Sequence, residues 1–553
     1  MKGLKRLLLA SAISASCIQG AWAIGAYPRP IVMRQPDGTT LLVRIQGDEN
    51  YHFVTSSDGF FLQRDKKGYF CYVDYDLKTG KRTLTRQRAH NIDERTDAEK
   101  KVISRLTASQ TANADYFKRN RIERKAPAKT LDKKVIAPRR VLGKNAKVKE
   151  SQYLVILVNF SDSTMRYKNS DFDRWLNEPG YSVNGGTGSV KDYYRDNSMG
   201  QYVPNFQVVG PYTLSKPTAY YGGNTGDSGT DTNPRDMVRE ALELARQNNP
   251  DLNFAQFDND GDGEMDNCYI IYAGYSEAST ANTDDIWPHS WNFTTADANG
   301  DVPVKPEYDG IKVNNYSCSA ELVGMPGAPA KPSMDGIGTF THEFGHVLGL
   351  KDMYDTDNTD NGVGIDPGDY SLYASGSYNN ESRTPPYLMA FERMQMGWMT
   401  EGDDIVEIKN PEDVSLESLS ENKARFINAQ PNREPGTGME WFILENRQQT
   451  GWDKYIPAHG LLITHYDYTK EKQEQWWDIN GPNNVASHRC LYIVPADGID
   501  DSNTRSGDTF PGSSANTSFT DNTTPNSRNW NNEPLGVPVT NIDEGDGIVR
   551  FQV

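Results

Sequence analysis

The sequence predicts an α+β protein of several domains, and three observations lead to this prediction. The chain has 553 residues, which is more than one compact core usually holds. Its 47 glycines and 30 prolines indicate many turns, and its 29 tyrosines supply much of the surface for burial. Short strand-like runs occur near both ends, whereas the middle mixes strand-like and helix-like runs. We therefore expect a central α+β domain between two β-rich regions.

The first 23 residues have the features of an export signal. Three basic residues precede an apolar run over 7–18, and the segment ends in the small-residue pattern Ala21-Trp22-Ala23. The run is shorter than the ~20 residues that a membrane span requires. We expect a signal peptide at 1–23, no membrane span in the mature chain, and a protein that is secreted or periplasmic.

Residues 24–149 are expected to form a small β-rich domain followed by a basic linker. Alternating runs such as Leu41–Ile45 and Tyr69–Val73 are separated by turn clusters, which is typical of short strands. Residues 118–149 then carry thirteen lysines and arginines against only Glu123 and Asp132, a composition typical of an exposed connector. Arg139-Arg140 is one site where a processing protease could cut this linker.

The remaining chain divides at about residue 400. The near-continuous apolar runs Tyr153–Phe160 and Cys268–Ala273 predict buried strands, and Met237–Ala245 predicts an amphipathic helix, all within a domain at 150–400. From 401 to 553, the runs Trp441–Leu444, Gly460–Thr464 and Ile548–Val553 predict a β-rich, sandwich-like C-terminal domain.

Charge and cysteine content limit the partners and the redox chemistry. The formal net charge of −17 disfavours nucleic acid and anionic membranes, because phosphate binding needs clustered lysines and arginines. Protein or peptide partners fit better. The cysteines after the signal are too widely spaced for a disulfide scaffold, and whether Cys268 and Cys318 pair or remain free thiols stays open.

The segment that carries chemistry is Thr341-His342-Glu343-Phe344-Gly345-His346. If Ile337–Leu348 is helical, His342 and His346 stand one turn apart on one face, as two imidazoles must to share one zinc ion. Glu343 lies beside them and can act as the general base toward a water at the metal. The alternative, an amphipathic helix with two structural histidines, is disfavoured because the chain contains only 8 histidines.

A catalytic zinc usually has three protein ligands and one open position, so a third ligand is expected. Gly349 can end the helix in a left-handed backbone conformation, and the resulting turn would bring Asp352 back toward the histidines. Asp352 is therefore the predicted third ligand. The alternative is Glu392, on a helix expected at Tyr387–Gln395, since some enzymes with this motif take a carboxylate from a later helix.

A second metal site is predicted at Asp258-Asn259-Asp260-Gly261-Asp262-Gly263-Glu264-Met265-Asp266. Carboxylates at alternate positions around a glycine-permitted turn direct their oxygens at one hard cation, as in calcium loops. We expect Asp258, Asp260, Asp262 and Asp266 to bind a structural Ca²⁺. The glutamate that closes an EF-hand loop is missing, so a solvated acidic turn is the alternative.

These motifs resemble the immune inhibitor A family of secreted bacterial zinc metalloproteases, which is related to the metzincins. The resemblance covers most of the chain and also rests on Gly188–Tyr194, Ile286–Trp291 and Ala374–Asn379. It implies a metzincin-like zinc protease domain, a signal, an inhibitory propeptide and C-terminal β structure. One departure concerns the methionine that metzincins place beneath the zinc, because Tyr373 stands at the corresponding position here.

The sequence therefore predicts a secreted zinc metalloendopeptidase, synthesised as a zymogen and stabilised by calcium. Its own propeptide would be its inhibitor, with Asp48 or Cys71 as candidate residues to fill the open metal position. The alternative function is a calcium-stabilised extracellular binding or adhesion protein with a degenerate protease fold. The intact His342, Glu343 and His346 favour the enzyme.

Overall fold

A computed structural model of the protein describes residues 24–49, 51–120, 149–225, 229–294, 303–324, 333–356, 364–409, 411–430, 438–472, 475–476 and 480–553. The predicted signal peptide at 1–23 and most of the predicted basic linker lie outside these residues. The described helices are α1 Asp97–Ile103, α2 Ser109–Asn120, α3 Asn169–Asn177, α4 Val190–Asn197, α5 Thr218–Gly222, α6 Pro234–Asn248, α7 Glu277–Thr280, α8 Ile337–Val347 and α9 Ala390–Gln395.

The N-terminal region is an antiparallel meander in which each strand pairs with the next along the chain. Its strands are β1 Ile31–Arg34, β2 Thr40–Asp48, β3 Tyr51–Ser56, β4 Phe61–Arg64, β5 Phe70–Asp76 and β6 Lys81–Arg88. The predicted run 41–45 lies in β2, and the run 69–73 lies in β5 except for its first residue. Apolar side chains of this sheet share a core with Ala278 and Trp287 from the following region. The meander is therefore packed directly against the central part of the molecule.

The central sheet has the strand order β13-β16-β12-β7-β8, and a short strand β17 also pairs with β16. Its strands are β7 Lys149–Asn159, β8 Tyr202–Thr213, β12 Cys268–Tyr275, β13 His289–Asn292, β16 Asn315–Val323 and β17 Ser333–Met334, and small strands β9 Asn224–Thr225, β10 Thr230–Asp231, β11 Glu264–Met265, β14 Glu307–Tyr308 and β15 Ile311–Val313 lie beside it. Pairing is parallel from β16 through β12 and β7 to β8. Hydrophobic cores cover both faces of this sheet, which explains why the apolar run in β7 is continuous.

The two faces of β7 belong to two different cores. Val155 and Leu157 pack in the core that contains helix α8, whereas Leu154 and Ile156 pack in the core that contains α6. This alternation is expected for a strand, because successive side chains point to opposite faces. It fixes α8 against one face of the sheet.

Two further sheets lie after residue 400, with orders β18-β20-β21-β22-β23 and β19-β25-β24. Their strands are β18 Ile405–Glu407, β19 Asp413–Leu416, β20 Ala424–Asn428, β21 Gly438–Arg447, β22 Gly460–Thr469, β23 Leu491–Ile493, β24 Thr540–Gly545 and β25 Ile548–Gln552. Phe426 and Tyr466 from this region share one hydrophobic core with Phe344 of α8. A single hydrophobic core thus extends across the domain boundary expected at residue 401. The division of the chain into domains remains a prediction.

Helix α9 is shorter at its N-terminus than the predicted Tyr387–Gln395. The backbone N–H groups of residues 387, 388 and 389 donate to the side chains of Asp453, Asn197 and Glu392 respectively. Asp453 and Asn197 come from other regions, whereas Glu392 is the third residue of the helix and accepts from the N-cap residue Met389. The helix therefore begins at Ala390.

The four cysteines at 71, 268, 318 and 490 are buried free thiols. Cys318 lies opposite Ile270 in the parallel pairing of β12 with β16, so Cys268 is offset from it by two residues along the strand. The pairing of Cys268 with Cys318 that the sequence left open is therefore not formed. Among the described residues, no helix is both long and apolar enough to cross a membrane.

Candidate metal centre and active site

Helix α8 is fixed by aromatic packing on one side and presents its histidines on the other. The ring of Phe344 lies 4.7 Å from that of Tyr153 and 5.3 Å from that of Phe206, both on the central sheet. On another face of the helix, the rings of His342 and His346 lie 4.7 Å apart. The predicted spacing of one helical turn therefore places the two imidazoles side by side in a buried site.

The chain turns back at Gly349, where φ is +101°, a conformation that favours glycine. The turn brings Asp352 to the histidines, with Oδ1 at 3.1 Å from His342 Nε2 and 3.4 Å from His346 Nε2. One possible ligand atom from each of these three buried residues lies within 4.8 Å of the others. The three residues predicted to bind zinc are thus brought together.

The hydrogen bonds of the two rings show why this group fits a cation. His342 Nδ1 lies 2.9 Å from the carbonyl oxygen of Leu372, and His346 Nδ1 lies 2.9 Å from that of Leu350. A carbonyl only accepts, so each Nδ1 carries the proton and, in a neutral ring, each Nε2 directs a lone pair at Asp352. Two lone pairs and a carboxylate facing one another need a positive charge between them, which a metal ion supplies.

Burial shifts the pKa values in this group. Burial alone would raise the pKa of Asp352, but the two adjacent imidazoles hold it well below its usual range. The pKa of His346 is lowered, chiefly because burial penalises the charged ring. The direction of each shift, taken separately, favours the form that binds a metal ion, which is an ionised carboxylate for Asp352 and a neutral ring for His346.

Sequence reasoning missed Asn480, which holds Asp352 in position. Its side-chain N–H donates to Asp352 Oδ2 (2.6 Å), and its side-chain oxygen accepts the backbone N–H of Asp352 (3.1 Å). The two residues are separated by 128 positions. No local pattern signals this contact, because the second residue lies in a loop of the C-terminal region.

Tyr373 lies beneath the two histidines, where the departure from the metzincin pattern was predicted. Its ring centroid is 5.1 Å from that of His342 and 5.3 Å from that of His346. A Cβ atom on Gly345 would stand 1.6 Å from the Tyr373 hydroxyl oxygen. The tyrosine therefore packs in a space that a side chain at position 345 would fill.

Glu343 is fully buried next to the metal-ligand group. Burial raises its pKa well above the usual value, which is the direction expected of a group that takes up and releases protons near neutral pH. Its Oε1 accepts a hydrogen bond of 2.7 Å from the backbone N–H of Ile24. The start of the N-terminal region thus reaches the predicted catalytic base.

Residues 24–27 are held across this site by backbone contacts. The carbonyl of Ile24 accepts from the indole N–H of Trp287 (3.0 Å), and the carbonyl of Gly25 accepts from the hydroxyl of Tyr378 (2.7 Å). The N–H of Tyr27 donates to the carbonyl of Ala278 (3.1 Å). These contacts are made by the backbone of residues 24–27 and would not depend on their side chains.

Asp48 and Cys71 were the expected inhibitory residues, but the group that contacts Glu343 is the backbone N–H of Ile24. The carboxylate of Asp48 accepts the backbone N–H of Tyr51 (3.2 Å) in the turn between β2 and β3, and Cys71 is buried in β5. Pattern analysis did not single out Ile24, because a backbone N–H carries no sequence signal.

Glu392, the alternative third ligand, is committed elsewhere. Its two carboxylate oxygens accept from the hydroxyl of Ser371 (3.2 Å) and the backbone N–H of Met389 (2.7 Å). Burial raises its pKa to about 8. The carboxylate therefore serves the N-terminus of α9 and does not lie in the group of potential metal ligands that contains the two histidines.

The acidic loop brings three of its four predicted ligands together. Asp258, Asp260 and Asp262 each offer an oxygen within 4.8 Å of the others. Asp266 is directed differently, since its Oδ2 accepts the backbone N–H of Asn259 (2.8 Å) and its side-chain N–H (2.6 Å). Positive φ angles at Gly261 and Gly263 permit the turn.

A cleft of about 530 Å³ runs beside α8 from the position of Ile24. Its lining includes Thr339 of the helix, Tyr378, and the oppositely charged Asp335 and Arg383. Burial raises the pKa of Asp335 to about 7. The cleft is large enough for an extended peptide segment, and residues 24 and 27 already line it.

The site combines two helix histidines one turn apart with a carboxylate returned by a glycine turn and a nearby glutamate, which is the arrangement expected of a metallopeptidase metal centre. Comparison with protein families agrees. Residues 141–399 match the model described as "Immune inhibitor A peptidase M6, catalytic domain", so this part of the chain is similar to that catalytic domain.

Two curated proteins illustrate the similarity. "Pre-pro-metalloprotease PrtV" of Vibrio cholerae serotype O1 (strain M66-2) is 28% identical over 330 residues, which cover 52% of this chain and 34% of that protein. "Immune inhibitor A" of Bacillus thuringiensis subsp. alesti is 28% identical over 279 residues, which cover 42% of this chain and 37% of that protein. The chain thus spans little more than a third of the length of these relatives.

Proposed function

We propose that the protein is a secreted zinc-dependent endopeptidase, made as an inactive precursor and stabilised by calcium. The match to a peptidase catalytic domain supports the activity, and the name pre-pro-metalloprotease carried by one relative supports export and a precursor form. The observation that carries the proposal is the convergence of His342, His346 and Asp352 beside the buried Glu343.

The chain's own residues can perform most of the work of hydrolysis. Bound zinc would supply a Lewis acid that polarises a peptide carbonyl and activates water. Glu343 is placed to accept a proton and to return it to the leaving amine, and its raised pKa suits both steps. Trp287 and Tyr378 are placed to hold the backbone of a peptide in the cleft, as they hold residues 24 and 25.

The same contacts support a precursor that blocks its own site. The backbone N–H of Ile24 donates to Oε1 of Glu343, so this oxygen is occupied while residues 24–27 are in place. Cleavage after Ala23, where the signal is predicted to end, would convert that N–H into a positively charged α-amino group. A cation at this distance from a buried carboxylate would strengthen the block. Release of residues 24–149 would then open the cleft.

Calcium binding at the acidic loop is the second part of the proposal. Asn259 ties the loop to β7, because its side chain both accepts from and donates to the backbone of Gln152 (2.8 and 3.0 Å). A cation that neutralises Asp258, Asp260 and Asp262 would therefore stabilise the start of β7 as well as the loop.

Replacement of Glu343 tests the activity most directly. Glu343→Gln should keep stoichiometric zinc in the purified mature protein, since both histidines and Asp352 remain, and should lower peptide hydrolysis by about 10²–10⁴-fold. Zinc content is measured by elemental analysis and turnover with a quenched-fluorescence peptide. Glu392→Gln is the control for the loss of a buried glutamate elsewhere and should retain zinc and activity.

Near-normal turnover by Glu343→Gln would refute the proposed role of this residue. A parent protein that binds no zinc and cleaves no peptide would instead support the binding or adhesion function. The two outcomes are distinguished by the zinc measurement alone.

A further inference from the structure

The N-terminal region inserts one histidine into a recess of the central region. His52, on β3, has a side chain that is only 7% exposed, and its Nε2 lies 3.0 Å from Oε1 of Glu277, whose side chain is 1% exposed. The imidazole also stacks on Trp287, with ring centroids 4.2 Å apart and planes inclined by 24°. Glu277 begins helix α7, so both partners of His52 belong to the central region.

The recess is shaped closely around this ring. The side-chain N–H of Asn224 donates to Glu277 Oε1 (2.8 Å) and thereby holds the carboxylate toward the histidine. The backbone at Gly229 approaches so closely that a Cβ there would stand 2.6 Å from His52 Nε2. A carboxylate, an oriented amide and an aromatic face are the groups that bind a planar cation.

Both nitrogens of the imidazole face acceptors. Nδ1 lies 3.0 Å from the carbonyl oxygen of Asp48, and Nε2 faces the carboxylate of Glu277. The side-chain nitrogen of Asn224 also lies 3.3 Å from Nε2, so a neutral ring with its proton on Nδ1 could accept a hydrogen bond there. The Nε2 lone pair of that neutral ring would then face the Glu277 carboxylate at 3.0 Å, and this repulsion favours the protonated ring. Three other carboxylates interact electrostatically with this pair: Asp48 with His52, and Asp231 and Asp285 with Glu277. Asp231 Oδ2 also accepts the backbone N–H of Trp287.

Trp287 links the recess to the active site. The imidazole of His52 stacks on the ring of Trp287, and the indole N–H of Trp287 donates to the carbonyl of Ile24. The backbone N–H of Ile24 in turn donates to the carboxylate of Glu343. We propose that Glu277, Asn224 and Trp287 form a binding site for one imidazolium side chain, that of His52, and that this site holds residues 24–27 over Glu343. The inference rests on the proposed role of the N-terminal region as a block.

The charge of His52 makes this attachment dependent on pH. Burial alone would lower the pKa of His52, but the negative charge and hydrogen bond of Glu277, together with the Asp48 carbonyl, raise it above its usual value. A histidine whose pKa is raised by binding contributes its full attraction below the pKa of the free ring, about 6.5, and loses it as pH rises through the raised value. Attachment should therefore weaken toward alkaline pH.

The test uses the full-length chain, cut once in the 118–149 linker, in the presence of a zinc chelator so that no fragment is digested. Gel filtration then measures how long the two fragments stay together. The parent fragments should co-elute at about pH 6 and separate at about pH 9. His52→Gln and Glu277→Gln should each release the N-terminal fragment at least about tenfold faster at the lower pH and lose the pH dependence.

Two controls keep the result specific. His90 pairs with Glu99 inside the N-terminal region, with His90 Nδ1 at 2.9 Å from Glu99 Oε2, so His90→Ala removes a similar pair without touching the recess and should leave retention unchanged. In His52→Ala, free imidazole should fill the vacated space and restore co-elution. Unfolding temperatures show whether each variant is folded.

The measurement does not require peptidase activity, so it can fail or succeed separately from the proposed function. Parent fragments whose retention does not change with pH would overturn the inference. So would His52→Gln fragments that stay together as long as the parent's, or a His52→Ala variant that imidazole fails to rescue. Retention that follows the expected pattern in a protein without peptidase activity would uphold the recess and refute the enzyme.

Discussion

At the scale of single residues, the candidate metal centre depends on groups that orient the predicted ligands. The backbone carbonyls of Leu372 and Leu350 orient His342 and His346 by hydrogen bonds to their Nδ1 atoms. Asn480 makes two hydrogen bonds with Asp352. Partners of this kind determine ligand direction and basicity, and their loss typically costs a metal site much of its affinity.

Asn480→Ala should therefore weaken zinc binding by about 10–100-fold, because Asp352 loses the amide that holds Oδ2. Competition with a chromophoric chelator measures the affinity. Asn483→Ala is the matched control, since Asn483 is a buried asparagine of the same loop that donates to the carbonyl of Met353 and touches no ligand. Equal zinc affinities for the two variants would show that the Asn480 contact has no part in metal binding.

At the scale of elements, helix α8 is restricted on the side of Tyr373. Gly345 is the helix residue over which the tyrosine hydroxyl lies, and an added Cβ at that position would overlap with it. The hydroxyl is buried and makes no hydrogen bond with the described residues, so close packing alone holds it there.

Gly345→Ala should lower the free energy of unfolding by about 1–3 kcal/mol, although alanine is the better helix former, because the ring must move. Adding Tyr373→Phe removes the atom nearest to the new Cβ and should recover part of the loss. Denaturant unfolding of the single and double variants gives both values. If Gly345→Ala were as stable as the parent, the tyrosine would not be packed against the helix.

The acidic loop is the other element whose behaviour can be predicted. A calcium-selective chelator should lower the melting temperature and expose the central region to proteolysis without first removing zinc, since ligand loss destabilises only the state that binds it. An Asp260→Ala, Asp262→Ala double variant should melt at the same reduced temperature with or without chelator. An unchanged melting temperature, with no calcium in the purified protein, would mean that the loop is only an acidic turn.

The sequence predicted the parts of the site that lie within one helix and the turn after it. The spacing of His342 and His346 and the left-handed turn at Gly349 are local properties of the chain, so the sequence pattern predicts them. Asn480 and Ile24 could not be predicted in this way, because their contacts join positions 128 and 319 residues apart. The start of α9 was misplaced for the same reason, since side chains from other regions bind the N–H groups before it.

At the scale of the whole molecule, the N-terminal region packs on the central region, and its residues Ile24 and Tyr27 line the cleft. The precursor should therefore hydrolyse peptides at least about tenfold more slowly than the protein cut in the 118–149 linker and separated from its N-terminal fragment. Turnover before and after a trypsin-like cut measures this. An intact precursor with full activity would make the N-terminal region a folding aid or a binding module.

The contact of Asn480 with Asp352 also limits where the chain can be cut to express a fragment. The family match ends at residue 399, which invites a fragment with that boundary. Such a fragment would contain every predicted ligand but would lack the amide on Asp352 and the residues after 400 in the core shared with Phe344. If it failed to bind zinc or to fold, the position of the cut would be the cause and not the chemistry of the protein. A fragment meant to isolate the catalytic region should therefore include Asn480 and the core residues up to Leu491.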